Sequence, residues 1–192
     1  MSRKLMVRLV LVVIVAAVMA LKAGWLGPKP TITSSSLAPG FYGINHFIDG
    51  DTIAVNMNGH TEKVRLIGVD TPETHKPNTP VECYGPQAAA FTKSVIGSGS
   101  VRLVSDPLST DRDRYGRLLR YVYLPNNTDL NEELIQQGYG FYYPYFPFSN
   151  SSRFANDEKA AMSARKGLWG SCTPTPSDDG GYKMDETAAQ AT

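Results

Sequence analysis

Apolar and polar residues alternate in short stretches over residues 44–56 (INHFIDGDTIAVN), Asn58-Gly59 offers a hairpin turn, and residues 62–69 (EKVRLIGV) return as a second strand. After a loop over 71–84 the period changes. Pro86 stands at the first position of a helix behind Gly85, and Ala88, Ala89, Phe91, Val95 and Ile96 form an apolar stripe that ends at Gly97. Two more strands follow at 101–104 and 117–124. Asp129 or Asn131 then caps a short helix over 132–137 that stops at Gly138, and a last helix covers 153–166 and stops at Gly167. Strands grouped first, with helices interleaved and late, predict a small α+β barrel rather than a doubly wound sheet.

The two ends of the chain read differently. Residues 9–21 (LVLVVIVAAVMAL) are uncharged and follow Arg3, Lys4 and Arg8, the apolar and basic regions of an export signal. As helix this run spans roughly 20 Å against a hydrocarbon core of ~30 Å, which favours a cleaved signal on length. The residues before Ala20 and Ala23 match a cleavage site poorly, so residues 1–26 stand as either a signal peptide or an N-terminal membrane anchor. In both cases the remainder is exported, either secreted or tethered to the outer face of the cell membrane by residues 9–21. Residues 27–41, rich in Pro, Ser, Thr and Gly, read as a linker, 42–172 as one domain, and 173–192, without apolar periodicity, as a disordered tail.

The 192-residue chain sets 19 Lys+Arg against 18 Asp+Glu, a formal charge of +1. That balance excludes a protein that holds nucleic acid by bulk electrostatics. Residues 27–172 carry 14 charges of each sign, so any contact with phosphate there is local.

The densest chemistry is Asp49-Gly50-Asp51-Thr52, followed on the partner strand by Arg65 and then Val69-Asp70-Thr71-Pro72-Glu73. Paired strands would bring these carboxylates to one end of the sheet, where converging acids raise one another's pKa unless a cation is bound. Carboxylates and a backbone carbonyl suit a hard ion such as Ca²⁺, whereas His46, His60, His75 and the two cysteines lack zinc-like spacing. Taken alone, Asp-Gly is more simply read as turn chemistry. A third element, Asp113-Arg114-Tyr115-Gly116-Arg117, places another arginine at the head of a strand.

In this order the three elements, with Tyr84-Gly85-Pro86, Gln137-Gly138 and Leu168-Trp169, resemble the thermonuclease (staphylococcal nuclease) family. The resemblance runs from about residue 48 to 169. It implies an α+β fold, a five-stranded OB-fold β-barrel with three helices. It also implies a calcium-dependent, monomeric nuclease that cuts DNA and RNA. Asp51, Asp70 and the Thr71 carbonyl correspond to the Ca²⁺ ligands, with Asp49 behind them. Glu73 corresponds to the group that orients or deprotonates the attacking water, and Arg65 and Arg117 to the pair that grips the scissile phosphate. The family's base-stacking tyrosines fall after Gly138, where Tyr143 and Tyr145 either stack on a base or cover the barrel. Only Lys76 stands in the loop where a lysine-rich stretch is expected. A non-catalytic OB-fold module for nucleic acid is the alternative, but binding alone does not require the acids.

Cys83 and Cys172 are the only cysteines, and in an exported chain they most simply form one disulfide.

Overall fold

The computed structural model describes residues 40–74, 80–178 and 180–184, all within the unit Leu37–Thr192. The signal or anchor expected at 1–26, the linker up to residue 39, and Lys76 lie outside the described residues. Among the described residues no helix is long and apolar enough to cross a membrane.

Strands β1 (Phe41–Phe47) and β2 (Thr52–Met57) are antiparallel neighbours, and β3 (His60–Leu66) follows β2 across a two-residue turn. Asn58 and Gly59 in that turn have φ of 54° and 86°, the left-handed conformation that this dipeptide adopts most readily. Next come β4 (Val69–Asp70), helix α1 (Gly85–Ile96), β5 (Ser100–Val104) and β6 (Leu118–Tyr123). The barrel closes in the order β1-β2-β3-β6-β5, with β3 and β6 parallel and the other pairs antiparallel. Helices α2 (Leu130–Gln136) and α3 (Ser151–Ser163) cover it, with β7 (Phe141–Tyr142) between them and the single turn α4 (Leu168–Ser171) after them. This is the expected five-stranded OB barrel with three main helices.

Ile53, Val55, Val64, Leu66, Val101 and Val122, each at most 1% exposed, form one core with Leu130, Leu134 and Ile135 of α2 and Phe154 of α3. Burying each such side chain contributes about 1.5–3 kcal/mol. The cap of α2 is settled in favour of Asp129, whose carboxylate accepts from the Asn131 and Glu132 N–H groups. Asn131 is instead fully buried. It accepts the Val122 N–H at 2.9 Å and donates to the carbonyls of Ile67 and Arg120, tying α2 to the barrel end from which β4 departs.

Two sequence expectations are corrected. Residues 44–56 are two strands rather than one, because the Ile48 and Asp49 N–H groups both turn back to the Thr52 carbonyl and Asp49 Oδ1 accepts the Gly50 N–H at 2.8 Å. The Asp-Gly turn wins locally over strand continuation. The expected disordered tail also begins as structure: β8 (Thr175–Pro176) and β9 (Tyr182–Lys183) form a hairpin, and Met184 is 5% exposed beside Phe141 and Leu168. Tyr182 packs edge-on to Trp169 at 5.0 Å. Two isolated apolar residues create no periodicity, yet they are enough to dock on a small apolar cluster already present.

That cluster adjoins the expected disulfide between Cys83 and Cys172, whose Cα atoms lie 6.1 Å apart. The bond spans 89 positions of chain and so constrains the unfolded state strongly. Reduction, or the double substitution C83S/C172S, is expected to lower unfolding stability by about 4 kcal/mol in the chain-entropy account, measured by urea denaturation with and without dithiothreitol.

Candidate active site

The Asp49–Asp51 turn sits at the barrel end and is held from beneath. Thr92 of α1, fully buried, donates its hydroxyl to the Gly50 carbonyl at 2.6 Å, and the Leu66 N–H donates to the Asp51 carbonyl at 2.9 Å. Gly50 is required by space, since a Cβ there would stand 2.8 Å from Thr71 Oγ1. Asp51 is consequently 5% exposed and points into the fold. Its Oδ1 accepts from Thr52 Oγ1 at 2.8 Å, and its Oδ2 accepts from the Thr71 N–H at 2.7 Å and from Thr71 Oγ1 at 3.0 Å.

Arg65 pairs in register with Thr52 across β2 and β3, which places its guanidinium over this turn. Nη1 lies 3.2 Å from Asp51 Oδ2 and Nη2 lies 2.5 Å from Asp70 Oδ1. Nη1 also donates to the Val69 carbonyl at 2.6 Å. One guanidinium therefore serves two carboxylates.

β4 delivers Asp70 because Val69 and Asp70 pair with Tyr142 and Phe141 of β7. On its other edge the Tyr142 N–H donates to Glu158 Oε1 of α3 at 2.9 Å. Burial pushes the Glu158 carboxyl up to about 7 despite that bond.

Negative charge exceeds the cation that answers it. The Asp70 carboxyl is pushed up to about 6, first by desolvation in this recess and then, against the pull of Arg65, by Asp51, Glu82 and Asp49. Glu73 is pushed up to about 7 by desolvation and by Asp49, Asp51 and Asp70. Asp49 Oδ1 is itself tied to the Gly50 N–H and to Thr74 Oγ1, at 2.8 and 3.1 Å. Among the described residues no three His, Cys, Asp or Glu side chains are arranged as a ready metal cage.

On the other side of Arg65 opens a groove of about 690 Å³ whose lining includes Arg65, Arg117, Tyr115, Tyr143 and Tyr145. Asp49, Asp51, Asp70 and Glu73 do not line it; Arg65 joins the two regions. Arg117 donates Nε to Asp113 Oδ2 at 2.6 Å, and its N–H donates to Asp113 Oδ1 at 3.0 Å. Burial alone would raise the Asp113 carboxyl, but these bonds hold it below the ordinary aspartate value. Asp113 thus fixes Arg117 through one edge. Tyr143 lies beside Arg65, with 5.9 Å from guanidinium carbon to ring centroid, and Tyr145 packs on Tyr143 at 4.5 Å.

The residues singled out from sequence therefore fall into three connected places. Asp51, Asp70, Thr71 and Arg65 are in direct contact, Asp49 and Glu73 adjoin them, and Arg117, Tyr143 and Tyr145 share the groove with Arg65. Asp113 and Thr92 were given no role. The i, i+4 spacing of Asp113 and Arg117 was the available signal for the first; nothing local marked the second. Tyr115, 68% exposed and 5.4 Å from the Arg117 guanidinium, was likewise given no role.

Comparison with known proteins adds an independent line. A family model described as staphylococcal nuclease homologue matches residues 63–171. The Thermonuclease of Staphylococcus hyicus is 38% identical over 165 residues, covering 83% of this chain and 95% of that protein. Endonuclease YncB of Bacillus subtilis is 40% identical over 128 residues, 66% of this chain and 60% of its own length. The Thermonuclease of Staphylococcus intermedius is 48% identical over 97 residues, 50% of this chain and 56% of that protein.

A raised carboxyl pKa in the folded state makes stability present at low pH and lost as pH rises through that value. In chelator, stability is therefore expected to fall as pH rises from about 4 to about 7, through Asp70 (from 3.8 up to about 6) and Glu73 (from 4.5 up to about 7), and E73Q is expected to flatten that slope in denaturation curves across the range.

Proposed function

The chain belongs to the staphylococcal nuclease family and is a nuclease, and we propose that it is an exported, calcium-dependent enzyme that hydrolyses phosphodiester bonds of DNA and RNA. The observation that carries the reading is Arg65, which touches Asp51 and Asp70 and lines the groove that also contains Arg117. The acids there fit a hard divalent cation. Arg65 bridges two carboxylates, Asp49 and Glu73 adjoin them, and Asp70 and Glu73 are pushed toward the neutral form by desolvation first and by their acidic neighbours second. Asp51, Asp70 and the Thr71 carbonyl would hold the ion, with Asp49 behind them shaping the turn. When bound, the ion supplies positive charge to oxygens that become more anionic as the phosphodiester is attacked.

The chain's own residues do the rest. Arg117, fixed at Nε by Asp113, keeps its terminal amino groups for a phosphate oxygen, and Arg65, whose terminal amino groups are engaged by Asp51, Asp70 and the Val69 carbonyl, adds its positive charge to the same groove. These groups stabilise charge where it develops, without reorganising during the reaction. Glu73, whose carboxyl is pushed up to about 7 in the cation-free site and would be brought down by a bound divalent charge, orients water and takes its proton. Tyr143 and Tyr145 form an aromatic wall of the groove on which a base stacks. Export is supported by the disulfide, which persists in oxidising compartments. Residues 1–26 are the signal or anchor, 27–41 the linker and 42–172 the catalytic domain, acting as a monomer.

Incubation of the purified full-length protein with single-stranded DNA tests this reading. Degradation is expected with Ca²⁺ and not with chelator, and R117K is expected to lose two to three decades of rate, about 3–4 kcal/mol of barrier. Intact DNA under both conditions would reject the enzyme reading, and intact DNA that is nevertheless bound would favour a non-catalytic module.

A further inference from the structure

Glu73 stands among acids, and among the described residues no cation pairs with it in a salt bridge. Asp49, Asp51 and Asp70 repel its charged carboxylate, and its attractions, a side-chain hydrogen bond with Asp49 and the more distant charge of Arg65, come from the same crowded recess, so its placement depends also on how its backbone is held. The segment Glu82 to Gly85 holds it. Glu82 Oε2 accepts the Glu73 N–H at 2.8 Å, and the Glu82 N–H donates to the Glu73 carbonyl at 2.9 Å. Two bonds in opposite directions between the same two residues fix the backbone of Glu73 at the peptide groups before and after its Cα. Gly85 completes the seat: a Cβ at this position would stand 2.9 Å from the carbonyl oxygens of both Pro72 and Glu73.

The seat is itself anchored. The Gly85 N–H closes a turn onto the Glu82 carbonyl at 3.1 Å, and α1 begins there. Cys83, the next residue after Glu82, is bonded to Cys172. The clamp is therefore built on the rigid start of a helix and on a covalent tie to the C-terminal part of the domain.

We propose that Glu82 is the positioning residue for Glu73, fixing through its carboxylate the backbone from which Glu73 reaches the reacting water, with the Cys83–Cys172 bond fixing Glu82 in turn. This rests on the reading of Glu73 as the group that handles the water. Glu82 does not touch substrate in this account; it acts through the Glu73 peptide. It also adds negative charge near Asp70, so its hydrogen bond and its charge must be separated by experiment.

Full-length E82A, E82Q and E82D, each checked for folding by thermal melting, separate them. In chelator and without substrate, the Glu73 amide is expected to exchange with solvent at least about tenfold faster in E82A than in wild type, with protection restored in E82Q, whose amide oxygen still accepts the bond. On single-stranded DNA at saturating Ca²⁺, kcat of E82A is expected to fall about 10- to 100-fold with KM nearly unchanged, and E82Q to recover most of it. E82D, one methylene too short, is expected to behave like E82A and replaces it if E82A fails to fold. Unchanged Glu73 exchange and kcat in E82A would overturn the proposal, as would an E82Q as slow as E82A, which would assign the effect to charge. E73Q is the control: if it keeps full kcat, the role of Glu73 is wrong, whereas the exchange measurement still reports on the clamp.

Discussion

Arg65 is the joint of this molecule. Its side chain is 12% exposed, and its guanidinium bridges Asp51, which comes from the turn between β1 and β2, to Asp70, which comes from β4. Without it, the buried Asp51 carboxylate would face the half-exposed Asp70 carboxylate with no answering charge, and a buried ion that loses its partner destabilises a fold strongly. Even with it, Asp49, Asp51, Asp70 and Glu73 outnumber the one guanidinium among the described residues, and Asp70 and Glu73 are shifted upward by desolvation first and by these acidic neighbours second. A structure that retains this deficit is arranged for something that arrives with charge of its own.

The fold explains how the deficit is maintained. The β2–β3 register sets Arg65 opposite Thr52, the parallel β3–β6 pairing brings the head of β6 with Arg117 alongside, and the short β4–β7 ladder holds Asp70 at the rim. Each of these contacts is made by backbone, so the strand positions that carry the charged groups are set before the side-chain ion pairs orient the groups themselves. Thr92, Asn131 and Glu158 supply the remaining ties from the three helices. The groove and the acid recess thereby share one arginine. Phosphate and cation would meet across it.

Much of this was legible in the sequence, for physical reasons that differ by element. Asn58-Gly59, Pro86, Gly97 and Gly138 mark boundaries because backbone geometry admits few residues at those points. The acids and arginines were legible as a set because their chemistry is meaningful only together. The break between β1 and β2 was hidden because alternation continues through Asp49 and Asp51, while a local turn bond decides the path. Tyr182 and Met184 were missed because docking onto a preformed cluster needs no periodicity. Glu82 left no trace at all: its partner is a backbone N–H nine residues away, and every residue but proline has one.

The central claim is that the acid recess is completed by a cation and that phosphate affinity follows from that completion. Binding of a short fluorescent single-stranded DNA to full-length E73Q, measured by anisotropy with Ca²⁺ and with chelator at one ionic strength, tests it directly. The account predicts affinity stronger by about tenfold or more with Ca²⁺, because a divalent charge reverses the sign of the local field. Equal affinity in the two conditions, or tighter binding in chelator, would contradict it.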